Sequence, residues 1–179
     1  MISPEETGLI VVDVQGKLAN IVHESEFVVN QMEALIKGAQ ILDLPIIWME
    51  QYPEGLGPTT DQLKRHLEDE TYVTKRTFSA CLEDQFMKAI EAVGRKSFLV
   101  IGIEAHVCVY QTVRDLLQKE YDVEIVLDAV SSRTESDRKI GIEKMRSLGA
   151  TITSTEMALF ELMKTSKHPR FKEVINLIK

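Results

Sequence analysis

The chain alternates short apolar runs with longer stretches in which apolar residues recur at helical spacing. The short runs are continuous rather than alternating, which is typical of strands buried on both faces of a sheet. Five of them are predicted as strands, over residues 9–14, 45–51, 97–103, 122–129 and 150–155. The longer stretches predict helices over 24–42, 81–93, 105–120 and 133–148, followed by a short last helix within 168–179.

This alternation predicts an open, doubly wound α/β domain in which helices cover both faces of a mostly parallel sheet. Neither a low-complexity segment nor an internal repeat nor a long linker interrupts it, so residues 1–179 are predicted to form one domain. In open parallel sheets, ligands bind outside the carboxyl ends of the strands, near the point where the strand order reverses. Polar residues that follow an apolar strand are therefore the first candidates for a functional site.

Composition narrows the class of protein. Of the 179 residues, 44% are hydrophobic and 27% charged, as in ordinary soluble globular proteins. The net charge of −7 argues against a nucleic-acid or anionic-membrane partner. No apolar run approaches the ~20 residues that span a bilayer, and the first residues, MISPEETG, lack the features of a secretory signal. The two cysteines, Cys81 and Cys108, form neither a disulfide framework nor a C-x-x-C pair, so we expect a reduced, cytoplasmic protein.

Asp13 and Lys75 are candidates for a buried ion pair. Asp13 directly follows the apolar run LIVV, where a carboxylate is poorly solvated and needs a partner if its pKa is not to rise. It could equally cap a loop or a neighbouring helix. Lys75 lies in the short β-rich stretch TYVTKRTFSA. Most lysines are solvated surface charges, but a buried lysine requires a counter-charge, which Asp13 would provide.

Cys108 lies in GIEAHVCVYQT, where the third predicted strand gives way to a helix. The residues alone leave two interpretations open. Free cysteines are usually small, buried and inert, and Cys81 is interpreted in this way. A thiol at the start of a helix and beside an ammonium group would instead have a lowered pKa and could act as a nucleophile. Asp13, Lys75 and Cys108 thus supply an acid, a cation and a thiol at three separate strand ends, which only the fold can bring together.

The chain resembles the isochorismatase-like cysteine hydrolase superfamily along nearly its whole length. The resemblance rests on LIVVDVQ, KRTFSA, GIEAHVCVYQT, DAVSSRTESDR and GATITSTE, and with HPRFKEV it is greatest to the isochorismatase domain-containing subgroup. It implies a six-stranded parallel sheet and a catalytic triad of Asp13, Lys75 and Cys108, which favours the nucleophile interpretation. It also implies a cis peptide bond between Ile103 and Glu104 that turns the Glu104 amide, beside that of Cys108, toward an oxyanion.

Motifs for metals and nucleotide cofactors are missing. The four histidines are scattered without ligand spacing, and Gln51 and Pro53 stand where the nicotinamidase branch of the superfamily has its metal-binding Asp-x-His. The segment EGLGPTT offers G-x-G, but Thr60 stands where a dinucleotide site needs its third glycine. We interpret this segment as a loop on the substrate side and expect neither a metal nor a cofactor.

Together these features predict a cysteine-dependent hydrolase of a small amide-like C–N bond that acts through a thioester. Asp13 would serve as general base to the thiol and then as general acid to the leaving amine. The residues expected to line the substrate pocket are Gln15, Phe78, Trp48 and Tyr52. A homo-oligomer is expected from the tendency of the superfamily. The alternative is a catalytically silent or redox-active small-molecule-binding protein on the same fold.

Overall fold

The computed structural model describes residues 2–179, which fold around one sheet of six strands. The strands are β1 (Thr7–Val12), β2 (Ile46–Gln51), β3 (Thr71–Lys75), β4 (Ser97–Ile103), β5 (Asp122–Ser131) and β6 (Thr151–Thr153). Every neighbouring pair is parallel, and the spatial order is β3-β2-β1-β4-β5-β6. The predicted doubly wound α/β sheet is confirmed, and the β-rich stretch around Lys75 is β3.

Helices cover both faces of the sheet, so the protein has three layers. In chain order they are α1 (Gly16–Ile21), α2 (Ser25–Ile41), α3 (Pro53–Leu56), α4 (Asp61–Leu67), α5 (Asp84–Val93), α6 (Tyr110–Gln118), α7 (Glu135–Ser147), α8 (Thr155–Met163) and α9 (Phe171–Ile175). One apolar core lies between the sheet and α1, α2, α4, α8 and α9, and a second lies between the sheet and α5, α6 and α7. Within residues 2–179, none of the helices combines the length and the apolar character that crossing a bilayer requires.

The position of β1 explains why its apolar run is continuous. Leu9 and Val11 pack into the core under α2, whereas Ile10 and Val12 pack into the core on the opposite face. Successive side chains of a strand point to opposite faces, so a strand with two covered faces needs an apolar residue at every position. β1 pairs with β2 on one side and with β4 on the other, and the strand order reverses between β1 and β4. The carboxyl ends of these two strands therefore open the crevice in which ligands bind in such folds.

The differences from the predicted elements lie mostly in the loops around this crevice. The short helices α1, α3 and α4 were not predicted, because they contain only 6, 4 and 7 residues and show too few apolar positions to define a helical period. The helix predicted over 105–120 begins as a π-helical turn, Ala105–Val109, and continues as α6 from Tyr110. π-Helical turns of this kind occur frequently at functional sites.

Candidate active site

Asp13, Lys75 and Cys108 lie at the carboxyl ends of β1, β3 and β4. Asp13 is the first residue after β1 and has a left-handed backbone conformation, with φ of 51°. Lys75 is the last residue of β3, and its side chain extends across the end of β2 to place Nζ 2.7 Å from Asp13 Oδ2. The two side chains are 0% and 5% exposed. Cys108 lies in the π-helical turn after β4 and lines the same cavity as Asp13. The expected contact between Lys75 and Asp13 is thus present.

The Lys75 ammonium is fully occupied by its neighbours. Nζ donates hydrogen bonds to Gln51 Oε1 (2.6 Å) and to the carbonyl oxygens of Thr77 (3.2 Å) and Phe78 (3.3 Å). With Asp13 Oδ2 at 2.7 Å, four oxygen atoms surround the three ammonium hydrogens, and Asp13 is held by both charge and hydrogen bonding. Within the described residues, the Asp13 carboxylate has no hydrogen-bonding neighbour other than the Lys75 ammonium and the Cys108 thiol, so it keeps unused acceptor sites. Such a carboxylate beside a cavity can accept a hydrogen bond or a proton from a ligand or a thiol.

Withdrawal from water controls the proton affinities of Asp13 and Cys108. Burial raises the pKa of Asp13, and the Lys75 ammonium opposes this rise. Burial also raises the pKa of the Cys108 thiol to about 12; the Asp13 carboxylate adds to the rise and Lys75 opposes it. The lowered pKa predicted for Cys108 is therefore wrong in direction, because burial outweighs the nearby cation. The thiol keeps its proton beside a carboxylate that can accept it, and Lys75 balances the single negative charge that this pair carries.

The turn that carries the candidate nucleophile is held closely against its neighbours. The peptide bond between Ile103 and Glu104 is cis, as expected. The Glu104 carbonyl accepts a hydrogen bond from the Val109 amide (3.2 Å), five residues along the chain, which defines the turn as π-helical. A Cβ atom added to Gly141 of α7 would lie only 2.7 Å from the carbonyl carbon and oxygen of Ala105. Glycine at this position therefore allows α7 to pack directly on the backbone of the turn.

A cavity of about 150 Å³ opens beside these groups. Its wall is formed by Asp13, Gln15, Leu18, Gln51, Leu56, Phe78, Ile103, Glu104, Val107 and Cys108. A cavity of this size holds a molecule as large as benzene, so the part of a ligand that enters it contains about six heavy atoms. Phe78 and Leu56 are 55% and 44% exposed, which indicates that they form the outer part of the wall. The predicted pocket residues Gln15 and Phe78 thus line the cavity.

The amide group of Gln15 is used to hold the loop that follows β2. Its Oε1 accepts a hydrogen bond from the Gln51 amide (2.6 Å), and its Nε2 donates to the carbonyl oxygens of Gln51 (3.0 Å) and Gly57 (2.7 Å). The side chain is buried, so these bonds connect the start of α1 to the segment that carries Leu56. Gln15 shapes the cavity wall through this connection.

Trp48 and Tyr52 do not line the cavity, contrary to the prediction. Trp48 belongs to the core under α2, because its position in β2 directs its side chain to that face of the sheet, where its ring centroid lies 4.4 Å from that of Tyr72. Tyr52 follows β2 with φ of 40° and is exposed, and the Arg76 guanidinium lies over its ring at 3.8 Å. Proximity to a strand end was therefore insufficient to place either ring at the site.

Gln51 uses its amide for hydrogen bonds at the position where nicotinamidases have a metal-binding aspartate. Its Oε1 accepts from Lys75 Nζ (2.6 Å), and its Nε2 donates to the Arg76 carbonyl (2.9 Å). In the part of the chain that the structure describes, no group of three or more His, Cys, Asp or Glu side chains is arranged to hold a metal ion. This end of β2 positions the ammonium of Lys75.

Three residues of the wall, Leu18, Gln51 and Val107, were not anticipated from the sequence, whereas Leu56 lies in the segment interpreted as a loop on the substrate side. Leu18 and Leu56 belong to α1 and α3, which are too short to be recognised from periodicity. Gln51 ends β2, and the tendency of functional groups to follow strand ends could have identified it. Val107 carries no chemical signal, and only the π-helical turn places it at the cavity.

Known proteins resemble this chain along most of its length. The model of the Isochorismatase domain matches residues 7–157. Isochorismatase family protein 1B of Dictyostelium discoideum is 38% identical over 182 residues, covering 99% of this chain and 88% of that protein. The secreted isochorismatase effector Isc1 of Phytophthora sojae is 38% identical over 180 residues, covering 98% and 86% of the two chains. Among solved structures, that of MAR1 ribonuclease from Caenorhabditis elegans has a TM-score of 0.93 at 39% identity, covering 99% and 91%.

Proposed function

The chain belongs to the isochorismatase family of hydrolases, and we propose that it is a cysteine-dependent hydrolase of a small amide-like C–N bond. The observation that carries the proposal is the buried ion pair of Lys75 and Asp13, 2.7 Å apart, which lies at the wall of the cavity that also exposes Cys108. A protonated thiol beside a carboxylate with unused acceptor sites matches the pairing of a nucleophile with its general base.

In the first half of the proposed reaction, Asp13 takes the proton of the Cys108 thiol while the sulfur attacks the carbonyl carbon of the substrate. The electron pair of the C=O bond moves to oxygen, and the backbone amides of Glu104 and Cys108 are the donors assigned to this oxyanion. One such donor typically contributes about 3–4 kcal/mol to stabilising the transition state. Asp13 then gives its proton to the leaving nitrogen, the C–N bond breaks, and an amine and a thioester result.

In the second half, water attacks the thioester carbonyl while Asp13 accepts one proton from it. The C–S bond breaks, the acyl group leaves as a carboxylic acid, and the thiol receives its proton back. Lys75 offsets the negative charge of the site in both halves, since this charge moves between the Asp13 carboxylate and the substrate oxyanion beside a fixed ammonium. The pKa of Asp13, raised by burial, brings its basicity closer to neutral pH, where such a shuttle operates.

We propose a small molecule rather than RNA as the substrate, although the Caenorhabditis elegans relative is named a ribonuclease. The cavity of about 150 Å³ accommodates only a benzene-sized group. The net charge of −7 disfavours binding to a phosphate backbone, because such binding depends on neutralising the phosphates with lysine and arginine.

We further propose that residues 1–179 act as one domain without metal or cofactor, in the cytoplasm and as a homo-oligomer. Both cysteines are free, which suits a reducing compartment; the Phytophthora sojae relative is named as secreted. The exposed side chains of Phe27, Ile152 and Met157 share an apolar groove that a second copy could cover. Light scattering during size-exclusion chromatography measures the oligomeric state, and fractionation of cells measures the compartment.

The test of the proposed activity is a panel of small amides, ureido acids and carbamoyl compounds, assayed with wild-type protein and with Cys108→Ala and Cys81→Ala. We expect turnover by wild type and by Cys81→Ala, none by Cys108→Ala, and a mass increase equal to the acyl group on Cys108 after rapid quenching. Turnover that persists in Cys108→Ala would refute the thioester. Binding of panel compounds without turnover by wild type would favour the binding-protein alternative.

A further inference from the structure

The charged groups of the cavity wall are all acidic. Asp13 and Glu104 supply carboxylates, and in the described chain none of the ten wall residues is a lysine, arginine or histidine. The remaining wall residues are apolar side chains, two glutamines and the Cys108 thiol. A ligand in this cavity therefore meets negative charge and hydrocarbon but no cation that could pair with an anion.

The two cations that pair with these wall carboxylates are already held by their partners. The Lys75 side chain is fully buried behind Asp13, and its ammonium is already surrounded by Asp13 Oδ2, Gln51 Oε1 and two backbone carbonyls. Arg133 holds the other carboxylate from outside the cavity: its Nε lies 2.9 Å from Glu104 Oε1, and its backbone amide donates to the same oxygen (3.2 Å). Releasing Lys75 would leave Asp13 buried without compensation, and releasing the Arg133 guanidinium would leave the mostly buried Glu104 carboxylate with the Arg133 amide alone.

The amide groups of the two wall glutamines donate three of their four hydrogens to backbone carbonyls, which leaves an anion at most one uncharged side-chain donor, on Gln51. Gln15 donates its two amide hydrogens to the carbonyls of Gln51 and Gly57. Gln51 donates from Nε2 to the Arg76 carbonyl. An anion that entered would lose its hydration, meet two carboxylates and find no charged donor in return, which is the costliest way to bury a charge.

We propose that the cavity selects acyl groups that are small and uncharged and excludes those that carry a carboxylate or a phosphate. This selection rests on the proposed function and specifies its substrate class: neutral amides whose acyl part has about six heavy atoms or fewer, rather than ureido acids or half-amides of diacids. The same selection favours release of the product over its rebinding. Hydrolysis converts a neutral acyl group into a carboxylic acid, which ionises beside Asp13 and Glu104 and is then expelled by the same wall that excludes anionic substrates.

The first test uses two alkylating reagents of nearly equal size, iodoacetamide and iodoacetate, which differ in charge. The rate of modification of Cys108 is measured by peptide mass spectrometry in native protein and again in urea, where the cavity does not exist. We expect the ratio of the iodoacetamide rate to the iodoacetate rate to be at least tenfold higher in native than in unfolded protein. An equal ratio in the two states would overturn the proposed selection.

The second test introduces a cation at the outer wall. Leu56 is partly exposed and lines the cavity, so Leu56→Lys places an ammonium at its mouth, and Leu56→Met is the matched control of similar length without the charge. We expect the lysine variant, but not the methionine variant, to shift the native ratio toward iodoacetate by fivefold or more. If both variants shift the ratio alike, wall shape rather than wall charge sets the selectivity and the proposal is wrong.

A third measurement separates this inference from the proposed activity. If Cys108 reacts with neither reagent and no amide is turned over, the hydrolase proposal fails, and the selectivity is then read from binding alone. Cys108→Ala is titrated with butyramide and with butyrate, and the methyl NMR signals of Leu18 and Val107 are followed. Saturable shifts with butyramide alone support the charge selection. Equal binding of butyrate, or no binding of butyramide, overturns it.

Discussion

The two cysteines lie in short turns that pack into the same apolar core, and they look alike by two common criteria. Cys108 is 8% exposed and Cys81 is 7% exposed. Burial is the main cause that raises the pKa of each thiol to about 12. Each has an aspartate that adds to the rise and at least one cation that opposes it: Asp13 and Lys75 for Cys108, and Asp115 with Arg114 and Lys119 for Cys81.

The difference lies in what each thiol can reach. Cys81 donates to the Thr112 carbonyl (3.8 Å), and its aspartate, Asp115, is held by Arg114 Nε at 2.7 Å. Cys108 shares a cavity with Asp13, and Cys81 does not line that cavity. Exposure and pKa therefore do not distinguish the candidate nucleophile from a structural thiol. The candidate nucleophile is distinguished by the access that a ligand has to it and by a neighbouring base with unused acceptor sites.

Replacing Asp13 should separate the two thiols most strongly. Asp13→Asn removes the general base, so we expect turnover of the best amide to fall by about 10²–10⁴-fold. Asp13 also shares the proton of Cys108 and raises the pKa of that thiol, so in the same variant Cys108 should react only as the thiolate, and its alkylation rate should rise with pH instead of staying constant.

The matched control is Asp115→Asn, which removes the corresponding carboxylate beside Cys81. It should leave turnover and the modification of Cys108 at wild-type values. Alkylation of Cys108 that stays independent of pH in Asp13→Asn would show that Asp13 does not accept the thiol proton.

The pH dependence of alkylation should differ between the thiols in the wild-type protein. Cys81 has no available base, so it reacts only as the thiolate, and with a pKa of about 12 its rate should rise about 10²-fold between pH 7 and pH 9. Cys108 and Asp13 share one proton at any pH between the raised pKa of Asp13 and about 12. The alkylation rate of Cys108 should therefore be nearly constant over this interval.

Below the pKa of Asp13, both Asp13 and Cys108 are protonated, and the alkylation rate of Cys108 and the turnover should fall together. Peptide mass spectrometry after timed labelling reports both residues at once, and a tenfold rise per pH unit at Cys108 would contradict the shared proton.

Removing the Lys75 ammonium should lower turnover less than removing Asp13 does, and it should clearly lower the stability of the fold. Lys75→Met leaves Asp13 buried without its counter-charge, so we expect turnover to fall about 30-fold and the free energy of unfolding to fall by about 3 kcal/mol. Urea unfolding measures the stability.

The double variant Asp13→Asn/Lys75→Met is the control, because it removes both charges and their desolvation together. We expect it to regain most of the lost stability without regaining turnover. Continued loss of stability in the double variant would mean that Lys75 is needed for its hydrogen bonds to the 77–78 carbonyls more than for its charge.

The smallest expected effect comes from the packing behind the candidate nucleophile. Gly141→Ala brings a methyl group to 2.7 Å from the Ala105 backbone, so the turn must shift, and we expect turnover to fall about tenfold. Gly38→Ala is the control in another helix, where the added methyl group meets only the Leu159 side chain. It should lower stability without changing the reactivity of Cys108 relative to Cys81; equal effects of the two substitutions on that ratio would refute the role of the turn.

The sequence was sufficient for the parts of the structure that depend on hydrophobic pattern. The strands β1, β2, β4 and β5 lie within two residues of their predicted bounds, because long apolar runs must be buried on both faces whatever the loops do. The contact of Lys75 with Asp13 could be expected because a buried lysine requires a counter-charge, and Asp13 lies at a strand end only one strand away.

The remaining features depend on three-dimensional detail that no local pattern encodes. The pKa of Cys108 depends on how much water reaches it, and the balance between burial and the Lys75 ammonium appears only once the turn is packed. The side of the sheet that Trp48 faces follows from strand register, which a continuous apolar run leaves undetermined. Gln51 became visible as the partner of Lys75 only because β2 and β3 pair so that the two residues lie side by side.

The strand order has a consequence for the synthesis of the protein. β1 is made first and occupies the middle of the sheet, and one of its edges pairs with β2 soon afterwards. Its other edge stays unpaired until β4 has been made. Val12 pairs with Gly102, which is translated about 90 residues later. At ribosomal rates of about 5–20 residues per second, this delay is roughly 5–18 s. A nascent chain that stalls before β4 therefore presents an apolar strand with one unpaired edge, the surface that chaperones and aggregating chains both recognise.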